Sequence, residues 1–278
     1  MPEPRLPIEL WELVIDNLND DRRFAFRNSA LLACSLACKS FLPATRRLLF
    51  YHVHLTCREV AERFLDVICS LPSSTNPCRY VRKFRMSEGR CGIRSRWISK
   101  ALPVLAERLL DVTTLEFETL LWNLLDDDGR RAILSGFLEI RDLKLKYCDF
   151  ETSEQLNRFI ASFPSLVNLH CSSSYWNDGP PTAALPQGLQ SIALDSCQSL
   201  FFHHILSRNL QGSHGVRTLR FYDIEEEETE NVGKLLKTLG SSLEELDFGH
   251  LYNALCFNQR YGEGQLSALI DRLIPINF

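Results

Sequence analysis

The chain has 278 residues, of which 45% are hydrophobic and 24% are charged, and it carries a net charge of −4. This is an ordinary globular composition; it lacks the basic surplus typical of nucleic-acid-binding proteins. No run approaches the roughly 18 apolar residues of a membrane-spanning helix. The first residues carry acids and prolines rather than a basic start, so we expect no secretory signal and a cytoplasmic or nuclear location.

Ten cysteines are spread along the chain without a CxxC pair. A chain of this length does not need disulfide bonds to fold, so we expect them to be reduced. Cys34 and Cys38 lie one helical turn apart and precede His52 and His54, from which a zinc site could be built. Because the cysteines lie in an apolar helical run and the histidines in a strand-like run, we expect packed cysteines and no metal or cofactor.

The stretch LPIELWELVIDNL, residues 6–18, predicts a helix with Pro7 in its first turn, where proline is tolerated. At about 100° per residue, its apolar side chains cover roughly 220°, about twice the stripe that docking on one core requires. A polar bridge follows, then a helix over about 29–39, a break near Pro43 and a short helix to Phe50. The wide apolar arc predicts two different neighbours for the first helix. One strip comprises Ile8, Trp11, Ile15 and Leu18, and the other comprises Leu10, Leu13 and Val14.

From residue 50 onward, the six-residue pattern apolar-x-x-apolar-x-apolar recurs eight times, at steps of 23 to 31 residues. Amphipathic helical stretches separate most copies, whereas the gap between the fifth and sixth copies has no helical period and should be looped. A fixed period of this size is typical of a solenoid, here with parallel strands and outer helices. The copies are FYHVHL (50–55), VRKFRM (81–86), VTTLEF (112–117), IRDLKL (140–145), LVNLHC (166–171), LQSIAL (189–194), VRTLRF (216–221) and LEELDF (243–248).

The repeated pattern resembles leucine-rich repeats, whose consensus LxxLxLxx is followed by Asn or Cys. IRDLKLKYC places Cys148 at that last position, and LQSIALDSC places Cys197 there. We expect each of these cysteines to supply a buried small polar group at the turn out of its strand. The resemblance implies an α/β fold in which residues 51–278 form an irregular leucine-rich-repeat-like solenoid of about eight repeats.

The side chains between the apolar positions of each strand should point to the open, concave face of such a solenoid. Neighbouring strands lie about 4.8 Å apart, so these side chains form a ladder in which opposite charges partly alternate. The face is either a solvated surface that satisfies its own charges or a recognition surface for a protein substrate, and the two are compatible. The candidate substrate-contacting residues are Arg85, Glu116, Glu118, Lys144, Lys146, His170, Asp195, Arg220, Tyr222 and Asp247.

Residues 1–50 resemble an F-box, a family that begins with Leu-Pro and an amphipathic helix carrying Glu-Leu. It continues with a small-residue helix and a Cys/Ser-x-x-Lys/Arg-x-Phe/Trp element, then Leu and Arg. The polar bridge NDDRRFAFRN is longer and more charged than the corresponding turn of the family. The matching residues are Leu6-Pro7, Glu9-Leu10, Val14-Ile15, Leu18, Leu31-Leu32, Cys34, the run from Leu36 to Phe41, and the run from Arg46 to Phe50.

The two resemblances together imply a substrate-recognition subunit of an SCF-type ubiquitin ligase, serving ubiquitin-dependent protein degradation. A three-helix F-box would dock on a Skp-family adaptor, and through it on a cullin–RING ligase, while the repeats hold an unknown protein substrate. No catalytic motif is present, so we expect no enzyme. The alternative is a protein-binding scaffold outside ubiquitination, with the first helices capping the solenoid. The residues expected to contact the adaptor are Leu6, Pro7, Ile8, Leu10, Trp11, Val14, Ile15, Leu18 and Phe41.

Overall fold

The computed structural model describes residues 7–18, 24–72, 76–88, 97–177, 185–196, 215–222, 229–239 and 242–248. In these ranges the protein is α/β, with a helical unit followed by a sheet of eight parallel strands. None of the helices in them is long and apolar enough to cross a membrane. The α-helices are α1 (Ile8–Asn17), α2 (Phe24–Ala37), α3 (Leu42–Leu49), α4 (Arg58–Ser70), α5 (Trp97–Arg108), α6 (Asp127–Gly136), α7 (Ser153–Ala161) and α8 (Thr229–Leu239).

The ten described strands form two sheets. The main sheet has the order β1-β2-β3-β4-β6-β8-β9-β10, and β5 pairs with β7 in a separate two-stranded parallel sheet. The strands are β1 (His52–Leu55), β2 (Lys83–Ser87), β3 (Thr114–Glu118), β4 (Asp142–Lys146), β5 (Asp149–Thr152), β6 (Asn168–Ser172), β7 (Tyr175–Asn177), β8 (Ser191–Asp195), β9 (Thr218–Tyr222) and β10 (Glu245–Phe248).

Every predicted copy of the six-residue pattern overlaps one strand of the main sheet. The sheet therefore confirms the predicted α/β fold with parallel strands. Its strands follow one another in chain order, except that β5 and β7 form the separate two-stranded sheet. The first inward position of each strand is buried in one continuous core, whereas the outward positions are polar apart from Ala193. These inward residues are Val53, Phe84, Leu115, Leu143, Leu169, Ile192, Leu219 and Leu246.

The segment between β6 and β8 contains no helix in its described parts, 173–177 and 185–190, as its lack of a helical period predicted. Its short strand β7 instead pairs with β5, which the sequence did not predict. Just before β5, Cys148 is fully buried, with its Sγ 3.5 Å from the carbonyl oxygens of Phe117 and Lys146. The predicted buried polar group is thus confirmed at Cys148, while Cys197 lies outside the described residues.

The three N-terminal helices have a small core of their own. It comprises Ile15, Leu31, Phe41, Ala44 and Leu48, and it is separate from the core of the sheet. The helical unit adjoins the first strands through α3, which contacts the short 3-10 helix Pro77–Tyr80. The sheet core and the helical core are therefore distinct packing units joined near β1.

Two predicted boundaries in the helical unit are wrong. Helix α2 begins at Phe24, inside the predicted polar bridge, and ends at Ala37. The chain then turns at the extended residue Cys38 and a 3-10 turn over Lys39–Phe41, and Pro43 lies in the first turn of α3 rather than at a break. Proline fits this place because the first amide groups of a helix have no intrahelical acceptor.

Candidate functional site

All the pairings between strands of the main sheet are in register. The outward side chains on its open face therefore form three rows that run across the strands. All ten predicted substrate-contacting residues lie in two of these rows. The central row is His54, Arg85, Glu116, Lys144, His170, Ala193, Arg220 and Asp247. The row toward the carboxyl ends of the strands is Ser87, Glu118, Lys146, Ser172, Asp195 and Tyr222.

Arg85 binds two glutamates of the neighbouring strand. Its Nε lies 3.2 Å from Glu116 Oε1, and its Nη2 donates a hydrogen bond of 2.5 Å to Glu118 Oε2. This hydrogen bond is the largest cause of a lowered pKa of Glu118. Lys146 adds a longer contact, with its Nζ 4.0 Å from Glu118 Oε1. Both glutamates of β3 are therefore already engaged by a cation of the chain itself.

Lys144 differs from the other cations of the central row. Its predicted neighbour of opposite charge, Glu116, is held by Arg85 instead. The Lys144 side chain is exposed and makes no ion pair or hydrogen bond with any residue in the described ranges. It lies on the fourth of eight strands, so a positive charge without an internal partner stands in the middle of the face.

At the far end of the face, opposite charges lie on adjacent strands, as predicted. Arg220 is in register with Asp247, as expected, but its Nη2 lies 3.3 Å from Glu245 Oε1. The predicted adjacency of Arg220 and Asp247 is therefore confirmed, but the ion pair of Arg220 is with Glu245, which begins the same strand and lies within reach of the guanidinium. Asp195 of β8 takes a hydrogen bond of 2.9 Å from Ser172 Oγ, an uncharged donor.

Two shallow depressions lie on this face, and Glu116 and Lys144 line both of them. One has a volume of about 570 Å³ and extends to His54; the other has about 480 Å³ and extends to His170. Burial is the main cause of a lowered pKa in both histidines. Their Nε2 atoms are shielded from solvent and have no hydrogen-bond partner among the described residues. The depressions thus combine a free cation with two polar nitrogen atoms that lack partners.

A second surface lies on α1, where the structure separates the two predicted apolar strips. Trp11, Ile15 and Leu18 contact the helical core. Leu10, Leu13 and Val14 are 46%, 58% and 49% exposed, at the i, i+3, i+4 spacing of one helix face. We call these three side chains the α1 apolar face. The predicted division of the arc between two environments is confirmed, because the exposed strip belongs to neither hydrophobic core of the described residues.

Two residues predicted to contact an adaptor are instead interior. Ile15 is 1% exposed and Phe41 is 8% exposed, and both belong to the helical core. The Trp11 ring packs on Phe41 with 5.2 Å between ring centroids. Direct contact with a partner is therefore wrong for Ile15 and Phe41, because the chain's own side chains already cover them.

The structure describes only some of the other adaptor candidates. Pro7 is exposed at the start of α1, whereas Leu6 and the Ile8 side chain lie outside the described residues. Leu13 was absent from the predicted contact set although it is the most exposed apolar side chain among those described in α1. Its spacing of three residues from Leu10 is the signal that could have added it.

The possible zinc ligands are not assembled into a site by the described residues. Cys34 and Cys38 pack against the helical core, and His54 lies on the open face of the sheet. Across the described ranges, no group of three or more His, Cys, Asp or Glu residues is placed to hold a metal ion.

No protein-family model matches the sequence, and no curated protein matches it either. The functional interpretation is therefore built on the two surfaces described above, the open face of the sheet and the α1 apolar face.

Proposed function

We propose that the protein is a substrate-recognition subunit of an SCF-type ubiquitin ligase. Residues 1–50 would form an F-box that binds a Skp-family adaptor, and residues 51–278 would form a leucine-rich-repeat-like solenoid that holds a protein substrate. The observation that carries this proposal is the α1 apolar face, which stays uncovered on a helical unit with its own core. It lies within LPIELWELVIDNL, residues 6–18, which resembles the start of an F-box.

The free energy that burial of the α1 apolar face would contribute supports a binding partner at this face. Complete burial of a Leu or Val side chain contributes about 1.5–3 kcal/mol, and these three are about half exposed. Covering them would thus contribute roughly 2–4 kcal/mol, whereas micromolar binding requires about 8 kcal/mol. Further contacts are needed, and the exposed residues Pro7, Leu32 and Leu36 of the same unit can supply some of them.

The open face of the sheet supports the second half of the proposal. It presents charged and polar side chains from eight neighbouring strands in fixed register, which suits recognition of an extended protein segment. In this proposal the chain carries out no chemistry itself. Ubiquitin transfer belongs to the enzymes that the cullin–RING ligase recruits, and the protein works in the cytoplasm or nucleus.

Co-expression of the full chain with a Skp-family adaptor tests the proposal. We expect a one-to-one complex that survives affinity purification on either partner and elutes as a single species in gel filtration. A folded full-length chain that elutes alone, with the adaptor in a separate peak, would contradict the proposal. That result would favour the alternative of a protein-binding scaffold outside ubiquitination.

A further inference from the structure

The central row is rich in basic side chains over its first five strands. Four of the five register positions carry a basic side chain. In strand order the residues are His54, Arg85, Glu116, Lys144 and His170. We call these five residues the basic segment. With strands about 4.8 Å apart, it extends for about 19 Å.

Glu116, the acidic residue of the basic segment, does not neutralise the positive charge of Lys144. Glu116 is engaged by Arg85 at 3.2 Å, and the other end of the same guanidinium binds Glu118. Lys144 is exposed and has no internal acceptor in the described ranges. An incoming carboxylate could therefore pair with Lys144 without first breaking an ion pair.

The two histidines at the ends of the basic segment have Nε2 atoms that are shielded from solvent and lack a hydrogen-bond partner among the described residues. Arg85, Glu116 and Glu118 are the charged groups that act on His54. Lys144, Lys146, Glu116 and Asp195 act on His170. A carboxylate placed near either ring would favour its protonated form through its charge.

We propose that the basic segment binds an acidic stretch of a protein partner in an extended conformation, with one carboxylate paired to Lys144. An extended chain rises about 3.3 Å per residue, so about six residues cover the 19 Å segment. In its biological setting this inference rests on the proposed function, in which the acidic stretch belongs to the substrate.

A nucleic acid fits this surface less well than an acidic peptide. Asp142 and Glu116 line the larger depression beside Lys144, and Asp195 lines the smaller one. A strand with a phosphate on every nucleotide would place negative charge against these acids. A peptide can instead alternate acidic residues with neutral ones, so that its carboxylates avoid the acids of the face.

Fluorescence anisotropy with the full-length protein tests the inference. The probe is a labelled twelve-residue peptide of alternating Glu and Ser, compared with its Lys-Ser counterpart and a single-stranded DNA 12-mer. We expect the Glu-Ser peptide to bind at least tenfold more tightly than the other two. Lys144→Glu should weaken that binding at least tenfold. The control Lys100→Glu, which reverses an exposed lysine on α5, should stay within twofold of wild type.

Equal binding of the two peptides, tighter binding of the DNA, or unchanged binding by Lys144→Glu would overturn the inference. Thermal unfolding of each variant checks that the exposed substitution leaves the fold intact. Adaptor co-purification is measured on the same preparations. If the wild-type protein binds the adaptor but not the Glu-Ser peptide, the acidic-stretch inference alone is refuted. If it binds the peptide but not the adaptor, the proposed function alone is refuted.

Discussion

Gly136 at the end of α6 packs directly on Ala106 of α5, so closely that a Cβ on Gly136 would lie 2.4 Å from the Ala106 Cβ. Near the start of α6, Gly129 approaches Ser99 of α5 in the same way, with Ser99 Oγ 2.8 Å from the position of an added Cβ. Two glycines, both near the ends of α6, thus allow the helices of adjacent repeats to approach each other.

Gly136→Ala should therefore lower the free energy of unfolding. Overpacking typically costs about 1–3 kcal/mol, which outweighs the gain of up to about 1 kcal/mol from the better helix propensity of alanine. Urea unfolding measures the change, with Ser135→Ala at the exposed neighbouring position as control. Adding Ala106→Gly should recover part of the loss, and strictly additive effects of the two substitutions would contradict the contact.

Arg85→Gln should lower stability by about 1 kcal/mol at neutral pH, because the partly buried pairs with Glu116 and Glu118 are lost. The pKa of Glu118 is lowered from its ordinary value of 4.5 in the folded protein. This stabilisation is thus complete above about pH 4.5 and is lost as pH falls through the lowered value. Urea titrations at several pH values measure it. A difference between variant and wild type that grew on acidification would contradict the assignment.

His170 of the open face predicts a second loss of stability on acidification, at higher pH than the loss predicted for Glu118. The pKa of His170 is lowered from 6.5, mainly by burial. As pH falls below about 6.5, the unfolded state takes up a proton first, so stability is lost until the folded pKa is passed. His170→Gln should make the unfolding midpoint fall less steeply between pH 7 and 5. A slope equal to that of wild type would show that His170 is not the titrating group.

Backbone strain recurs at the exits of four neighbouring strands. Thr119, Tyr147, Ser173 and Ser196 have φ values of 61°, 52°, 45° and 47°, in the left-handed region. Each follows directly on a strand, and the Ser173 amide donates a hydrogen bond of 2.8 Å to Asp195 O of the next one. The neighbouring ladder therefore holds these residues in a conformation that L-amino acids disfavour.

Ser173→Gly should raise the free energy of unfolding by about 0.5–1 kcal/mol. Glycine adopts positive φ without the steric cost, and this gain exceeds its added entropy in the unfolded chain. Thermal and urea unfolding measure the change. The matched control is Ser162→Gly at the end of α7, where φ is −72° and no relief is available, so that variant should not be stabilised.

The strands of the main sheet and their register could be predicted from the sequence because each repeats the same alternation of apolar and polar residues. The burial of Cys148 was expected from the resemblance to the leucine-rich-repeat consensus. Contacts between residues that are not register partners could not be predicted, because a long side chain can reach residues before or after its partner on the neighbouring strand. Arg85 thus binds Glu118 as well as Glu116, and Arg220 binds Glu245.

The candidate contact residues of α1 were only partly predictable. The sequence showed that the apolar arc was too wide for one core, and the spacing separated its two strips. Which strip faces the core depends on Phe41, a distant residue whose ring packs on Trp11. Long-range packing of this kind leaves no periodic signal in the sequence, and neither do the left-handed residues at the strand exits.

The central claim concerns the α1 apolar face, and calorimetric titration of purified full-length protein with a purified Skp-family adaptor tests it most directly. Wild type should bind with one-to-one stoichiometry, and Leu13→Glu should weaken binding at least tenfold, because it places a charge in the buried contact. Leu138→Glu, at a comparably exposed leucine after α6, is the control and should bind like wild type. Equal affinities of wild type and Leu13→Glu, or no heat of binding for a folded wild type, would contradict the account.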